Sequence, residues 1–367
     1  MYYIGMLRKG ILDNLHYSFR EINGYNKDIN IVISPREPGK TSNMWIDIFS
    51  NWLKNQEPWY ILVRKHKEIT EEYIDSIIQP HINKFFDDEV VAHYKKGSLD
   101  SGVCDVKITT KDITTPTLLF RIVSIHLTVK ELKQQLIMGA RGMFFDEYII
   151  DPTTGEKYIQ NEYKKIQEAY TTWRRGAPNG KKFKIYVCGN PYSLYNPLFM
   201  GLGVDVTKLK RDSFYVEDNY VIHWAVLKPE LREWLLKQNP FYKFDEEYSN
   251  YALDGQAVND SNIRLSKLPM NYSLNWIFRA NKKYICVYQN NYHDALCDMY
   301  FCKFEDSIGS RRNVYCYDFN EMVEGCAVIS REDKEKFARF KRAIQRNLVT
   351  FENIAVYYII IEIYNFI

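Results

Sequence analysis

Lys40 and Thr41 follow Gly39 in the stretch ISPREPGKTS, residues 33–42, and together they form the second half of a phosphate-binding loop. In a G-x-x-x-x-G-K-[ST] loop, backbone N–H groups at a helix start cradle phosphates, the lysine reaches the terminal ones, and the hydroxyl holds Mg²⁺. Here Ser34 stands in the place of the first glycine, and Pro38 removes one N–H from the cradle. In isolation an ordinary Pro/Gly turn accounts for the stretch equally well. A nucleotide hydrolase also needs an acid at the end of a buried strand for the metal and a neighbouring glutamate for the attacking water. MFFDE, residues 143–147, supplies both as Asp146 and Glu147, although a solvated strand end would carry the same residues. IYVCGN closes a third apolar run on Asn190, an amide placed to sense a terminal phosphate. A turn before Pro191 uses asparagine just as readily.

The elements around these residues must bring them to one edge of a sheet. INIVIS reads as a strand entering the loop, and Met44, Ile48, Phe49, Trp52 and Leu53 recur at helical spacing directly after it. WYILVR is the next strand, and EEYIDSIIQPHINKFF a helix with a kink at Pro80. The Thr-rich CDVKITTKDITTPTLLFRIVS reads as a hairpin feeding a sheet strand. TVKELKQQLI and KYIQNEYKKIQEAYTTWRR read as helices on either side of the MFFDE strand, and FKIYVCGN as a buried strand. Strands alternating with helical periods predict a mainly parallel sheet with crossover helices, an α/β domain. Beyond it the stretch up to about residue 240 is polar with one short helix, KPELREWLLKQNP, and aromatic strands without long helices then predict a smaller α+β domain. The expected division is residues 1–208, a linker over 209–240, and 241–367.

The chain has 367 residues, enough for two domains, with 46% hydrophobic and 26% charged residues. A net charge of +3 offers no global attraction for nucleic acid, so any basic surface must be local. No apolar run reaches the roughly 18–20 residues of a membrane span, and the start lacks the order of a secretory signal, which predicts residence in the host cytoplasm. The seven cysteines suit reduced thiols. His293, Cys297 and Cys302 are close enough for a metal site, but DALCDMYFCKF reads better as a strand.

With these motifs in place, the chain resembles the DNA-packaging ATPases of small podoviruses of the Picovirinae type, which are encapsidation proteins and terminase-like motors. The resemblance runs over most of the chain. It rests on the loop with Arg36 inside it, WYILVRKHK, SIHLTV, FFDE, CGNPYSLYNPLF, YSNYALDGQAVND and FARFKRAIQRNLVTFENIA. It implies an additional-strand (ASCE) P-loop ATPase followed by a ribonuclease-H-like, vestigial nuclease domain. It also implies ATP and Mg²⁺ as ligands, a homo-oligomeric ring, a pentamer, at the portal vertex of the prohead, double-stranded DNA as cargo, and prohead RNA, portal and capsid as partners.

Carried onto this sequence, the resemblance makes Ser34, Arg36, Gly39, Lys40 and Thr41 nucleotide-binding, Thr41 and Asp146 metal-holding, and Glu147 and Asn190 catalytic. Arg36 is expected to meet phosphate or Glu147. Arg174, with Arg175 next to it, is expected to act in trans on a neighbouring subunit, and Lys133 is a second candidate. The loop RRGAPNGKK, residues 174–182, is expected to reach DNA phosphates, and the basic faces of the helix over 332–347 to reach RNA. Two alternatives remain open at the level of sequence. A full terminase would cut DNA with Asp254, Asp294, Asp298 and Asp318, and a chain with a degenerate loop would be a capsid-associated structural protein.

Overall fold

A computed structural model describes residues 15–86, 90–94, 101–151, 156, 158–194, 196–245, 248–249, 252–255, 264–280, 283–292, 299–308, 313–316, 322–330, 332–346, 348–364 and 367. The chain divides into two compact units, Met1–Val258 and Asn259–Ile367.

The first unit is built on a nine-stranded sheet. Its parallel centre starts with β1 (Ile29–Ile33), which leads through the loop into helix α1 (Lys40–Asn55). Met44, Trp45, Ile48, Phe49 and Trp52 form the inward stripe of α1, each at most 2% exposed. Burying an aliphatic or Phe side chain of this kind stabilises by about 1.5–3 kcal/mol, so this stripe holds the helix against the sheet. Strand β2 (Trp59–Val63) is buried along its whole length, as a strand covered on both faces must be. Helix α2 (Gln79–Phe86) is entered through a π-turn at Ile74–Ile78. The kink expected at Pro80 is thus a one-residue widening of the helix just before a residue with no N–H to donate.

Strand β3 (Val91–Tyr94), which the sequence pattern did not announce, pairs antiparallel with β4 (Val103–Thr109), and β4 with β5 (Thr117–Ser124) forms the expected hairpin. Helix α3 (Val129–Gln134) is capped by Thr128 and Glu131 in a reciprocal box. Strand β6 (Gly142–Phe145) follows, then helix α4 (Glu162–Trp173), strand β7 (Lys184–Gly189) and helix α5 (Pro197–Leu202), whose N-cap is Asn196. Gly142 permits the tight entry into β6, because a Cβ there would lie 2.4 Å from the carbonyl oxygen of Lys184.

Strands β8 (Ser213–Val216) and β9 (Tyr220–Trp224) complete the sheet, in the order β3-β4-β5-β2-β6-β7-β1-β9-β8. They correct the expected linker over 209–240, since β9 pairs in parallel with β1 along its whole length. The hairpin was hidden because its two short strands, SFYV and YVIHW, are set among charged residues, and the division between units falls at Val258/Asn259 rather than near residue 240. Helix α6 (Pro229–Gln238) belongs to this unit. Strand β7 lies between β1 and β6 and is parallel to both, which is the additional-strand arrangement.

The second unit has a six-stranded sheet of β10 (Tyr272–Ala280), β11 (Lys283–Asn290), β12 (Tyr300–Glu305), β13 (Val314–Cys316), β14 (Cys326–Val328) and β15 (Val349–Phe351). Their order is β14-β13-β10-β11-β12-β15. Helix α7 (Asp333–Gln345) buries Phe337 and Phe340, and helix α8 (Ile354–Tyr364) buries Val356, Ile360 and Ile363 in the same core. Among the described residues no helix is long and apolar enough to cross a membrane. Cys302 is fully buried in β12, while His293 and Cys297 lie outside the described residues.

Candidate nucleotide site

The carboxyl ends of β1, β6 and β7 converge on a cavity of about 470 Å³. This is where an open α/β sheet binds ligands, because the strand order and the loops leave a crevice there. Arg36, Gly39, Lys40, Thr41, Asp146, Glu147 and Asn190 all line it, so the motifs singled out in the sequence meet in space.

The loop leaves β1 with the Ser34 amide still bonded to Gly189 O at 3.1 Å, and the Arg36 amide then donates to Ala252 O at 2.8 Å. Glu37 and Gly39 take left-handed conformations, φ +63° and +81°. Such a turn favours glycine at position 39, and it delivers Lys40 to the first turn of α1. A Cβ on Gly39 would lie 3.0 Å from the His16 ring, and the Tyr17 amide donates to Pro38 O at 2.7 Å, so the segment before β1 straps the loop from outside.

Lys40 is 5% exposed, and its Nζ donates to Ser34 Oγ at 2.7 Å, Pro35 O at 3.1 Å and Asn190 Oδ1 at 3.1 Å. The residue that replaces the motif's first glycine therefore provides the lysine's shortest contact. Burial pulls the Lys40 ammonium below its ordinary pKa, opposed by Cys188, Asp146 and Glu147. Thr41 Oγ1 donates to Asp146 Oδ2 at 2.5 Å across the cavity floor. Desolvation raises the Asp146 carboxyl, with Thr41 and Lys40 opposing, and desolvation followed by the Asp146 charge raises Glu147. Glu147 itself has φ +50° and accepts the counter-charge of Arg36, whose Nη2 donates to Tyr192 OH at 2.5 Å.

The other expected residues lie elsewhere. Helix α4 starts beside the cavity and ends at the opposite edge of the sheet, where Arg174 and Arg175 form an exposed 3₁₀ turn. The six residues of β7 separate that edge from Asn190, about 20 Å at strand rise. Arg174 stacks over the Tyr170 ring at 5.7 Å. Lys133 pairs with Glu168 of α4 at 2.7 Å. In the loop after Arg175, Lys181 pairs with Glu57 and Lys182 with Asp28 at 3.5 Å, so both lysines rest on acids of their own chain. Asp254, weighed as a nuclease acid, belongs to the first unit and is held by Arg232 at 2.8 and 3.0 Å; Asp294, Asp298 and Asp318 lie outside the described residues.

Sequence reasoning missed a buried pair behind the acids, Arg64 and Glu162. An arginine directly after the wholly apolar run WYILV was the available signal, since a charge there must find a partner within the fold.

No family model matches the sequence, and no curated protein matches it either. Solved structures do. The Phi-28 gp11 DNA packaging motor superimposes over 92% of this chain and 94% of its own, with a TM-score of 0.63 at 17% identity. The bacteriophage Phi-29 viral genome packaging motor assembly superimposes over 96% of this chain and 99% of its own, with a TM-score of 0.60 at 19% identity. This chain has the fold of a phage DNA-packaging motor protein. The packaging-motor fold spans both units, and the cavity lies in the first of them.

Proposed function

We propose that the chain is the ATP-hydrolysing subunit of a phage DNA-packaging motor. The observation that carries this reading is the meeting of Lys40, Thr41, Asp146 and Glu147 in one cavity at the carboxyl ends of β1, β6 and β7. Lys40 exchanges its loop acceptors for the β- and γ-phosphate oxygens, and its contact with Asn190 makes that amide the group that registers the exchange. Thr41 Oγ1 and the Asp146 carboxylate form a hard oxygen pair suited to Mg²⁺, which when bound would neutralise charge on the terminal phosphates. Glu147 accepts a hydrogen bond from the attacking water and orients it, while Arg36 balances its charge.

Arg174 lies too far from its own cavity to serve it, which supports action on a neighbour in a ring, with Arg175 beside it. Such an arginine contributes about 10³–10⁵ in rate in well-studied NTPases. In this reading a homo-oligomeric ring, a pentamer, sits at the portal vertex and drives double-stranded DNA into the prohead. Supporting a ribonuclease-H-like second unit, β10, β11 and β12 are antiparallel neighbours, and β13 and then β14 add in parallel beside β10. Strand β10, YSLNWIFRA, carries no carboxylate for a two-metal nuclease, which favours a docking role toward prohead RNA.

The test is ATP hydrolysis with and without double-stranded DNA by the parent, by Glu147→Gln, by Arg174→Ala and by mixtures of the two variants. Each variant alone should be inactive and the mixture active. A fully active Arg174→Ala protein would remove the trans arginine, and a parent that binds no nucleotide would remove the ATPase.

A further inference from the structure

Arg64 follows the last residue of β2 and is almost wholly buried. Its Nε donates to Glu162 Oε2 at 3.2 Å and its Nη2 to Glu162 Oε1 at 3.1 Å, with side chains 6% and 0% exposed. The Nη2 also donates to Tyr148 O at 2.5 Å, and the guanidinium lies 5.3 Å from the Phe145 ring and 5.5 Å from the Tyr158 ring. Burying such a pair gains little stability over apolar residues of the same size, because both ions lose their hydration. Its value lies in what it orders.

The ordered object is the turn that carries Glu147. Glu147 adopts φ +50°, a region that non-glycine residues avoid and that persists only when the surroundings impose it. The next residue, Tyr148, is fixed on three sides. Its amide donates to Cys188 O at 3.0 Å, its carbonyl accepts from Arg64, and its hydroxyl donates to Asn196 Oδ1 at 2.7 Å while accepting from the Leu198 amide. Glu162 is in turn anchored, since its Oε2 accepts from the Ile159 amide at 2.9 Å, and it is the first residue of α4.

We infer that Arg64 and Glu162 are positioning residues for Glu147: the bidentate pair holds the 146–148 turn against α4 and so sets where the Glu147 carboxylate meets water. The inference rests on the ATPase reading above. A lysine at position 64 keeps the charge but cannot bridge both Glu162 oxygens and the Tyr148 carbonyl.

The experiment compares Arg64→Lys and the isosteric Glu162→Gln with Arg121→Lys, which weakens a half-buried pair with Asp105 on β4 and β5, away from the cavity. In the full chain, Arg64→Lys and Glu162→Gln should lower kcat for ATP about 10- to 100-fold, the loss that a misplacement of about 1 Å produces. The dissociation constant for a fluorescent ATP analogue should stay within about threefold of the parent for a group that orients water rather than holds phosphate. Hydrogen exchange across residues 146–149 should quicken in both variants and stay at the parent level in Arg121→Lys. Where Arg64→Lys does not fold, Glu162→Gln carries the comparison. A kcat loss no larger than that of Arg121→Lys at equal thermal stability overturns the inference, as does unchanged exchange at 146–149. A parent that binds the analogue without hydrolysing it overturns the ATPase reading instead, and the role of the pair with it.

Discussion

Replacing Ser34 by alanine should tighten nucleotide binding while making the empty protein less stable. Ser34 Oγ accepts from the buried Lys40 ammonium at 2.7 Å. A hydrogen bond to a charged group contributes about 1.5–3 kcal/mol net. Lys40 retains Pro35 O and Asn190 Oδ1, each at 3.1 Å, so the lower end applies, about 1.5 kcal/mol. When Lys40 turns to phosphate oxygens it no longer uses Ser34, and the loss falls on the empty state alone. The difference appears as affinity, about tenfold lower Kd for 1.4 kcal/mol. Thermal melting of the nucleotide-free protein should show the first unit's transition falling by roughly 3–6 °C. Titration of a fluorescent ADP analogue into the parent and the variant measures the affinity side. An equal or higher Kd in Ser34→Ala, with the same loss of Tm in free and bound protein, would show that Ser34 serves the lysine in both states and would refute the reasoning.

Two further outcomes follow from the packing of the loop and the sheet edge. Gly39→Ala places a methyl 3.0 Å from the His16 ring at φ +81°, so it should destabilise the protein by about 1–2 kcal/mol or more, read by denaturant titration, and weaken nucleotide binding. His223, stacked on Phe214 at 3.9 Å with its Nδ1 3.1 Å from the Tyr17 hydroxyl, has a pKa lowered by burial. The unfolded chain therefore takes up a proton near pH 6.5 that the folded protein refuses. Its contribution to stability is complete above that value and is lost as pH falls. Melting curves at pH 7.5 and 5.5 should show a decline that is shallower in His223→Leu; an unchanged slope would assign the decline to other groups.

The parts of the site that were legible in the sequence are those whose members stand together along the chain. Gly39, Lys40 and Thr41 start a helix after an apolar strand, Asp146 and Glu147 end another, and Asn190 ends a third; periodicity alone places each of them. What the sequence determined, then, is the loop, the acids and the alternation that makes a parallel sheet, because these are local patterns of hydrophobicity and turn chemistry. Tertiary structure alone decided that β7 inserts between β1 and β6 and brings Asn190 to the lysine, and that Ser34 supplies an acceptor where the motif has glycine. It also decided that 213–224 closes the sheet rather than linking domains, and that Arg64 finds Glu162 behind the turn that carries Glu147. Strands as short as SFYV and YVIHW, set among the charged residues of KLKRD and EDN, are too brief for alternation to announce them. A buried ion pair joins residues 98 positions apart, whose partnership follows only from the strand order that desolvates them both.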